Sequence, residues 1–183
     1  VTLANLEARL PGHYVDRLYV LDRRPASPTQ GRMVALRYVS GNQLTSDERR
    51  QADESLTGWR EAKYPRLIET LRTALQGIDS EDRNRSQDAH EILERTRFVF
   101  SDRGIEGWVA LSVIGSTFLA TEVRRENRRG AARGSQEGRD YEGLGSELLA
   151  AGVQELLTNN APTYVLDSVE PEMETIIRSL VKT

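Results

Sequence analysis

The chain has 183 residues, 38% of them hydrophobic and 29% charged, with a formal net charge of −3; one domain of that length buries a core without disulfides or a structural metal. The absence of cysteine excludes thiol nucleophiles, redox pairs and thiolate zinc sites, and the distant pair His13 and His90 excludes a histidine-rich metal centre. No stretch approaches the ~18 apolar residues of a membrane span, the opening lacks a secretory-signal pattern, and the charge balance does not mark a nucleic-acid binder. The expectation is a soluble, cytoplasmic protein of a reducing compartment, with neither membrane nor nucleic acid as partner.

In chain order, a short helical lead at Leu3 to Leu10 ends at Pro11-Gly12. Residues 1–42 then read as a strand pair, His13 to Asp22 and Met33 to Ser40, joined by a loop holding Pro25 and Pro28. Residues 46–95 read as a helical segment. Ser46-Asp47-Glu48 offers an N-cap with early acids, Ala52, Leu56 and Trp59 recur at helical spacing, and Tyr64-Pro65 interrupts. A second helix carries Leu67, Ile68, Leu71 and Leu75 on one stripe. The polar run Asp79 to Asp88 is either a loop or a solvated helix start.

From residue 97 the chain turns strand-rich. Arg97 to Ser101 and Gly107 to Ile114 flank the turn signal Asp102-Arg103-Gly104, and Thr117 to Val123 makes a third strand after Gly115-Ser116. Residues 124–140 hold Arg124, Arg125, Arg128, Arg129, Arg133 and Arg139 with interspersed glycines, and read as a flexible basic loop. Tyr141 to Ser146 follows as a glycine-bearing turn, then a helix with Leu144, Leu148, Ala151 and Leu156 on its buried face, the strand Thr163 to Val169 and a helix from Glu172 to Val181. Trp59 and Trp108 read as core anchors.

The unit that carries chemistry is strand, glycine turn, helix, strand. Glycines at the mouth of a helix let a ligand approach the backbone, and the first-turn amides hold an anion. Gly143-Leu144-Gly145-Ser146 is neither a dinucleotide fingerprint, which needs glycine at position 148, nor a P-loop, which needs Gly-Lys-Ser/Thr. A packing role for these glycines is the other reading.

The run Arg97 to Val181 resembles the GNAT superfamily of acyl-CoA-dependent N-acetyltransferases, in which an antiparallel meander leads into a turn of pattern Q/R-x-x-G-x-G/A, then a helix and a strand. The resemblance implies an α/β (α+β) single domain with a mixed, mostly antiparallel central sheet flanked by helices, the hairpin and helical segment preceding a β-β-β-α-β-α core over 97–183. It implies acetyl-CoA (or another acyl-CoA) as cofactor and an amine-bearing protein or small molecule as acceptor. Thr121, Glu122 and Val123 would lie along the pantetheine arm, with Arg139 and Tyr141, Glu142, Gly143, Leu144, Gly145 and Ser146 at the pyrophosphate. Asp140 stands where the family has Gln or Arg.

The same resemblance gives the Val123 amide the role of oxyanion donor. Glu122 is the first candidate base and Glu106 the second, with an arginine-paired strand carboxylate as the other reading of Glu122. Tyr141 and Tyr164, and more weakly Ser168, are candidate proton donors; a core or rim aromatic is the commoner role for each tyrosine. The arginine loop either binds the 3′-phosphate or an acidic partner, or is simply solvated. A non-catalytic module of this fold that docks an acidic partner through that loop is the rival to the enzyme.

Overall fold

The computed structural model describes residues 16–59, 64–112, 118–128 and 140–158. They form an α+β fold of six antiparallel strands: β1 (Arg17–Asp22), β2 (Met33–Ser40), β3 (Thr96–Ser101), β4 (Gly104–Ser112), β5 (Phe118–Val123) and a two-residue β6 (Tyr141–Glu142). The strand order is β5-β4-β3-β2-β1-β6. The helices are α1 (Ser46–Thr57), α2 (Pro65–Gly77), α3 (Arg83–Glu94) and α4 (Leu144–Thr158). Every described strand pair is antiparallel. The strand expected at Thr163 to Val169, which alone would make the sheet mixed, and the helix after it lie outside the described residues.

Local chemistry sets the helix boundaries. The cap of α1 is Thr45, one residue before the expected Ser46: its hydroxyl accepts from the Glu48 amide at 3.2 Å while Glu48 accepts from the Thr45 amide at 3.1 Å. That reciprocal box satisfies two amides that a helix start otherwise leaves unpaired. Pro65 occupies the first position of α2, where its missing amide costs nothing. Asp82 caps α3 by accepting from the Asn84 amide at 3.0 Å, so the polar run Asp79 to Asp88 is a solvated helix start.

Two apolar layers flank the sheet. On one face α1, α2 and α3 contribute Leu56, Leu71 and Leu93 to a cluster with Phe98, Ile105 and Trp108. Trp108 is fully enclosed, whereas Trp59 is only partly buried against this cluster. On the other face α4 lays Leu144, Leu148 and Ala151 against Leu18, Val20, Val99 and Val109. Gly107 and Gly152 allow the helix this close: a Cβ would lie 3.0 Å from Leu148 Cδ2 at the first and 2.7 Å from Leu119 Cδ1 at the second. Since Gly107 pairs with Val123, α4 runs opposite in direction to β5.

Two irregularities shape the end of the sheet where β5 finishes. In the β3–β4 hairpin, Val99 faces Gly107 but Phe100 faces Ile105, so Glu106 is an extra, bulged residue. The bulge sends Ile105 into the cluster under α1–α3 and turns Glu106 toward the α4 side. The same end of the sheet is bridged between its two edges. Asn127, just past β5, accepts from the Tyr141 amide at 3.0 Å, the Asp140 amide donates to the Glu126 carbonyl at 2.9 Å, and the Arg23 amide donates to the Asp140 carbonyl at 2.8 Å. The chain thus runs from β5 through residues 125–127 to β6 and on to β1 as a closed circuit of hydrogen bonds.

Candidate functional site

Two enclosed carboxylates organise the bridged end. Asp22, at the end of β1, has no exposed surface and accepts from the Arg24 amide (2.9 Å), Arg24 Nε and Nη2 (3.2 and 3.1 Å), Ser27 Oγ (2.7 Å) and Thr29 Oγ1. Burial by itself would raise its pKa; the hydrogen bonds from Arg24, Thr29 and Ser27 outweigh it and hold the carboxyl well below the usual range. Glu106, also without exposed surface, accepts from Ser101 Oγ (2.6 Å), Arg103 Nε and Nη2 (2.6 and 3.0 Å) and Asn127 Nδ2 (2.8 Å). Both acids are buried because each has charge-assisted partners; without them neither is tolerated in an interior.

Tyr141 lies between the two. The guanidinium carbons of Arg24 and Arg103 stand 4.8 and 5.6 Å from its ring centroid, a double cation–π contact. Burial pushes its hydroxyl up to about 12; the Glu106 charge adds to this, while Arg24 and a hydrogen bond with Ser101 oppose it. The hydroxyl therefore keeps its proton at neutral pH and is a donor, in contact with a serine that is itself bonded to a buried carboxylate. Both arginines are held charged, Arg24 chiefly by Asp22 and Arg103 by Glu106 against the cost of burial.

Tyr141 and Ser101 line a groove of about 570 Å³ that also takes in Arg24, Thr29, Phe100 and Asp102, the β2 residues Val34 to Arg37, and Arg17, Glu48 and Gln51. It exists because β3 pairs with β2 only from Arg37 to Ser40 and then turns away at Asp102. The turn leans onto α1, where Ser55 Oγ accepts from the Ile105 amide at 3.2 Å, and leaves the first half of β2 uncovered on that side.

Of the residues singled out from the sequence, Tyr141 belongs to this cluster and Glu122 does not. Glu122 pairs with Trp108 and so projects to the α1–α3 face, where it is buried and accepts from Arg128 Nη2 at 2.9 Å. Glu106 is the carboxylate on the side of Tyr141. Tyr141 and Glu142, expected in the pyrophosphate turn, are instead β6, with Tyr141 pairing with Asp22 and Glu142 with Leu21. An ion pair of Glu142 with Arg23 and the burial of Tyr141 hold them there. The turn itself shrinks to Gly143, whose φ of +87° favours glycine, and Leu144, Gly145 and Ser146 open α4. Asp140 is directed onto Arg103 at 2.6 Å. Arg124 lies 3.9 Å from Glu106 and 3.8 Å from Glu126. Arg139, Tyr164 and Ser168 lie outside the described residues.

Backbone parity along β5 is informative. The Arg124 amide donates to the Glu106 carbonyl at 2.8 Å, so the even-numbered residues of β5 face β4 and the amides of Thr121 and Val123 point to the outer edge. Arg128 Nε reaches the Val123 carbonyl at 3.3 Å. In α4 the first helical bond runs from the Glu147 amide to the Gly143 carbonyl at 3.0 Å, which leaves the amides of Leu144, Gly145 and Ser146 ahead of the helical ladder. Among the described residues, nothing lies within 4 Å of a Cβ built at Gly143 or Gly145.

Asp22, Arg24, Arg103 and Asn127 were not visible as site residues in the sequence. The one available signal was Glu106, a lone charge inside the apolar run from Gly104 to Leu111. Among the described residues no group of histidine, aspartate and glutamate could hold a metal ion, and no helix is long and apolar enough to cross a membrane. No family model matches this chain, and neither a curated protein nor a solved structure matches it.

Proposed function

We propose that the chain transfers an acyl group, acetyl in the simplest case, from coenzyme A to an amine, with the cofactor along the outer edge of β5 and its pyrophosphate at the first turn of α4. One juxtaposition supports this reading. Val123, whose amide like that of Thr121 points outward, pairs with Gly107, against which Leu148 packs, and one turn before Leu148 the amides of Leu144 to Ser146 precede the helical ladder. A strand edge offering amides to an extended arm, followed by a helix N-terminus offering amides to an anion, is the arrangement an acyl-CoA needs. Asp140 does not oppose it, because Arg103 neutralises that carboxylate.

The cofactor supplies a thioester: the acceptor nitrogen bonds to the acyl carbon, the carbon–sulfur bond breaks, and coenzyme A leaves as the thiol. In this chain the Val123 amide is the donor for the developing oxyanion. Tyr141, protonated at neutral pH, is the candidate donor to the leaving sulfur and takes back the proton that the acceptor nitrogen sheds, with Glu106, next to it through Ser101, as the carboxylate that holds this relay in place. Glu122 takes no part, being committed to Arg128 on the opposite face.

Acetyl-CoA titration by calorimetry tests the reading, with Gly145→Asp as the paired variant. Aspartate suits the first turn of a helix, so the fold survives, but its charge meets the pyrophosphate. Micromolar binding that weakens at least about tenfold in the variant is the expected result. No heat at millimolar acetyl-CoA, or equal binding by both proteins, would remove the assignment.

A further inference from the structure

One face of the β1–β2 hairpin is bare, and the inference it carries is independent of the acyl-transfer reading. Alternation puts Arg17, Tyr19 and Leu21 of β1 and Met33, Ala35 and Arg37 of β2 on the side of the sheet that α1–α3 cover elsewhere, since Val39, of the same parity, belongs to their cluster. The cover stops there: of β1 and β2 only Val39 joins that cluster. Tyr19 is 61% and Met33 63% exposed, the two large hydrophobics open to solvent among the described residues. Ala35, opposite Tyr19, is exposed as well. On the other side of the same strands Leu18, Val20 and Leu36 are buried under α4. A sheet with one solvated face carries polar residues there; here a tyrosine, a leucine, a methionine and an alanine make an apolar strip.

Reach and area decide what covers it. The strip exposes at most a few hundred Å², against roughly 800 Å² per partner in a stable interface between two chains. The chain beyond Thr158 leaves from the end of α4 on the opposite face, where Glu155 accepts from Arg97 at 3.0 Å. Residues 1–15, outside the described residues, lead straight into the strip: the Asp16 carbonyl accepts from the Tyr38 amide at 2.9 Å, and Arg17 opens β1. Within them Leu3, Leu6 and Leu10 stand three and four apart, one stripe of a helix that Pro11-Gly12 stops. Eight residues do not hold a helix in water by themselves, so such a stripe needs an apolar surface to form on.

The dimensions agree. The chain from Leu10 to Asp16 reaches up to about 20 Å, whereas Tyr19 lies only about 10 Å along β1 from Asp16. A helix of eight residues is about 12 Å long, and Arg17 to Leu21 spans about 13 Å. The charges agree too. The Arg17 guanidinium at the border of the strip donates to the Asp16 carbonyl at 3.2 Å and meets no carboxylate among the described residues. Glu7, four residues after Leu3 and three before Leu10, flanks the leucine stripe.

We propose that the segment Leu3–Leu10 packs on this strip as an amphipathic helix, its three leucines against Tyr19, Leu21, Met33 and Ala35, and completes the cover that α1–α3 leave unfinished.

Peroxide oxidation of Met33 in the full chain, followed by mass spectrometry of its tryptic peptide, tests this. A helix seated about nine times in ten slows the reaction about tenfold relative to Leu6→Asp, which puts a charge on the central leucine. Leu6→Ile retains the protection, and circular dichroism establishes that Leu6→Asp keeps the fold. Methyl NOEs between Met33 and Leu3, Leu6 or Leu10 in the unaltered chain read the same contact without any substitution. Three results would each overturn the proposal. One is equal oxidation rates in the native chain and Leu6→Asp. Another is protection that rises with protein concentration, which makes a second copy the occupant. The third is NOEs to Met33 from residues after Thr158 in place of those from the three leucines.

Discussion

At the scale of single residues, the bridged end of the sheet is governed by ionisable groups whose surroundings fix their protonation. Asp22 is held below the usual carboxylate range by Arg24, Thr29 and Ser27 against the cost of burial. A lowered folded-state pKa means stability that is fully present above the ordinary aspartate value, about 4, and is lost as pH falls below it. Tyr141 has the opposite sign: a hydroxyl raised to about 12 by burial contributes stability present below the ordinary tyrosine value, about 10, and lost as pH rises from there. Urea unfolding measured from pH 3 to 11 therefore gives a dome whose two limbs belong to different residues. Asp22→Asn costs about 1–3 kcal/mol at pH 7, since a neutral amide cannot accept all that Arg24, Ser27 and Thr29 donate while Arg24 keeps its pair with Asp102, and it flattens the acid limb. Tyr141→Phe keeps the ring between the two arginines and flattens only the alkaline limb. Unchanged limbs in these variants would mean that other groups set the pH profile.

At the scale of elements, what was legible from the sequence is what local chemistry decides. The two hairpins, the α2 stripe of Ile68, Leu71 and Leu75, the Pro65 start and the buried leucines of α4 all follow from periodicity, turn residues and proline sterics. The Glu106 bulge does not, because it is a matter of register between two strands, and one inserted residue reverses which face a side chain takes. For the same reason Glu122 could not be assigned to the face away from Tyr141 until its partner Trp108 was known. The seat of α4 is likewise a pairwise fact. Alanine at Gly152 would gain about 1 kcal/mol of helix propensity. Its methyl, however, would lie 2.7 Å from Leu119 Cδ1 and 3.1 Å from Val109 Cγ1. Overpacking outweighs propensity, so Gly152→Ala lowers stability by about 1–2 kcal/mol net. Adding Leu119→Ala makes room for the methyl, and the two changes together cost less than their sum, a coupling read by a double-mutant cycle in urea.

At the scale of the whole molecule, the bridge between the sheet's edges decides what the site can be. Each of its bonds joins segments far apart in the chain: Arg23 to Asp140, Asp140 to Glu126, Tyr141 to Asn127. None has a local sequence signature, and so the candidate site was legible only in part: Tyr141 as a possible donor and Glu106 as a second-choice carboxylate, without the Asp22 and Asn127 contacts that enclose them. Asn127 is the keystone, because one side-chain amide serves both ends of the circuit. Its Nδ2 donates to Glu106 at 2.8 Å and its Oδ1 accepts from the Tyr141 amide at 3.0 Å, with 5% of the residue exposed. Asn127→Ala leaves a buried carboxylate oxygen and a buried amide each short of a partner, at about 1–3 kcal/mol apiece. The loss is local in origin, so it divides the molecule. Hydrogen exchange of the Tyr141, Asp140 and Arg23 amides accelerates through opening of the bridge, whereas Val99 and Val109 in the centre of the sheet exchange only through global unfolding and change by no more than the drop in total stability. Equal acceleration at all five amides would show that bridge and sheet open as one unit. Unequal acceleration makes the bridge a separately opening gate beside Tyr141, and a ligand whose binding requires that residue would restore the slow exchange.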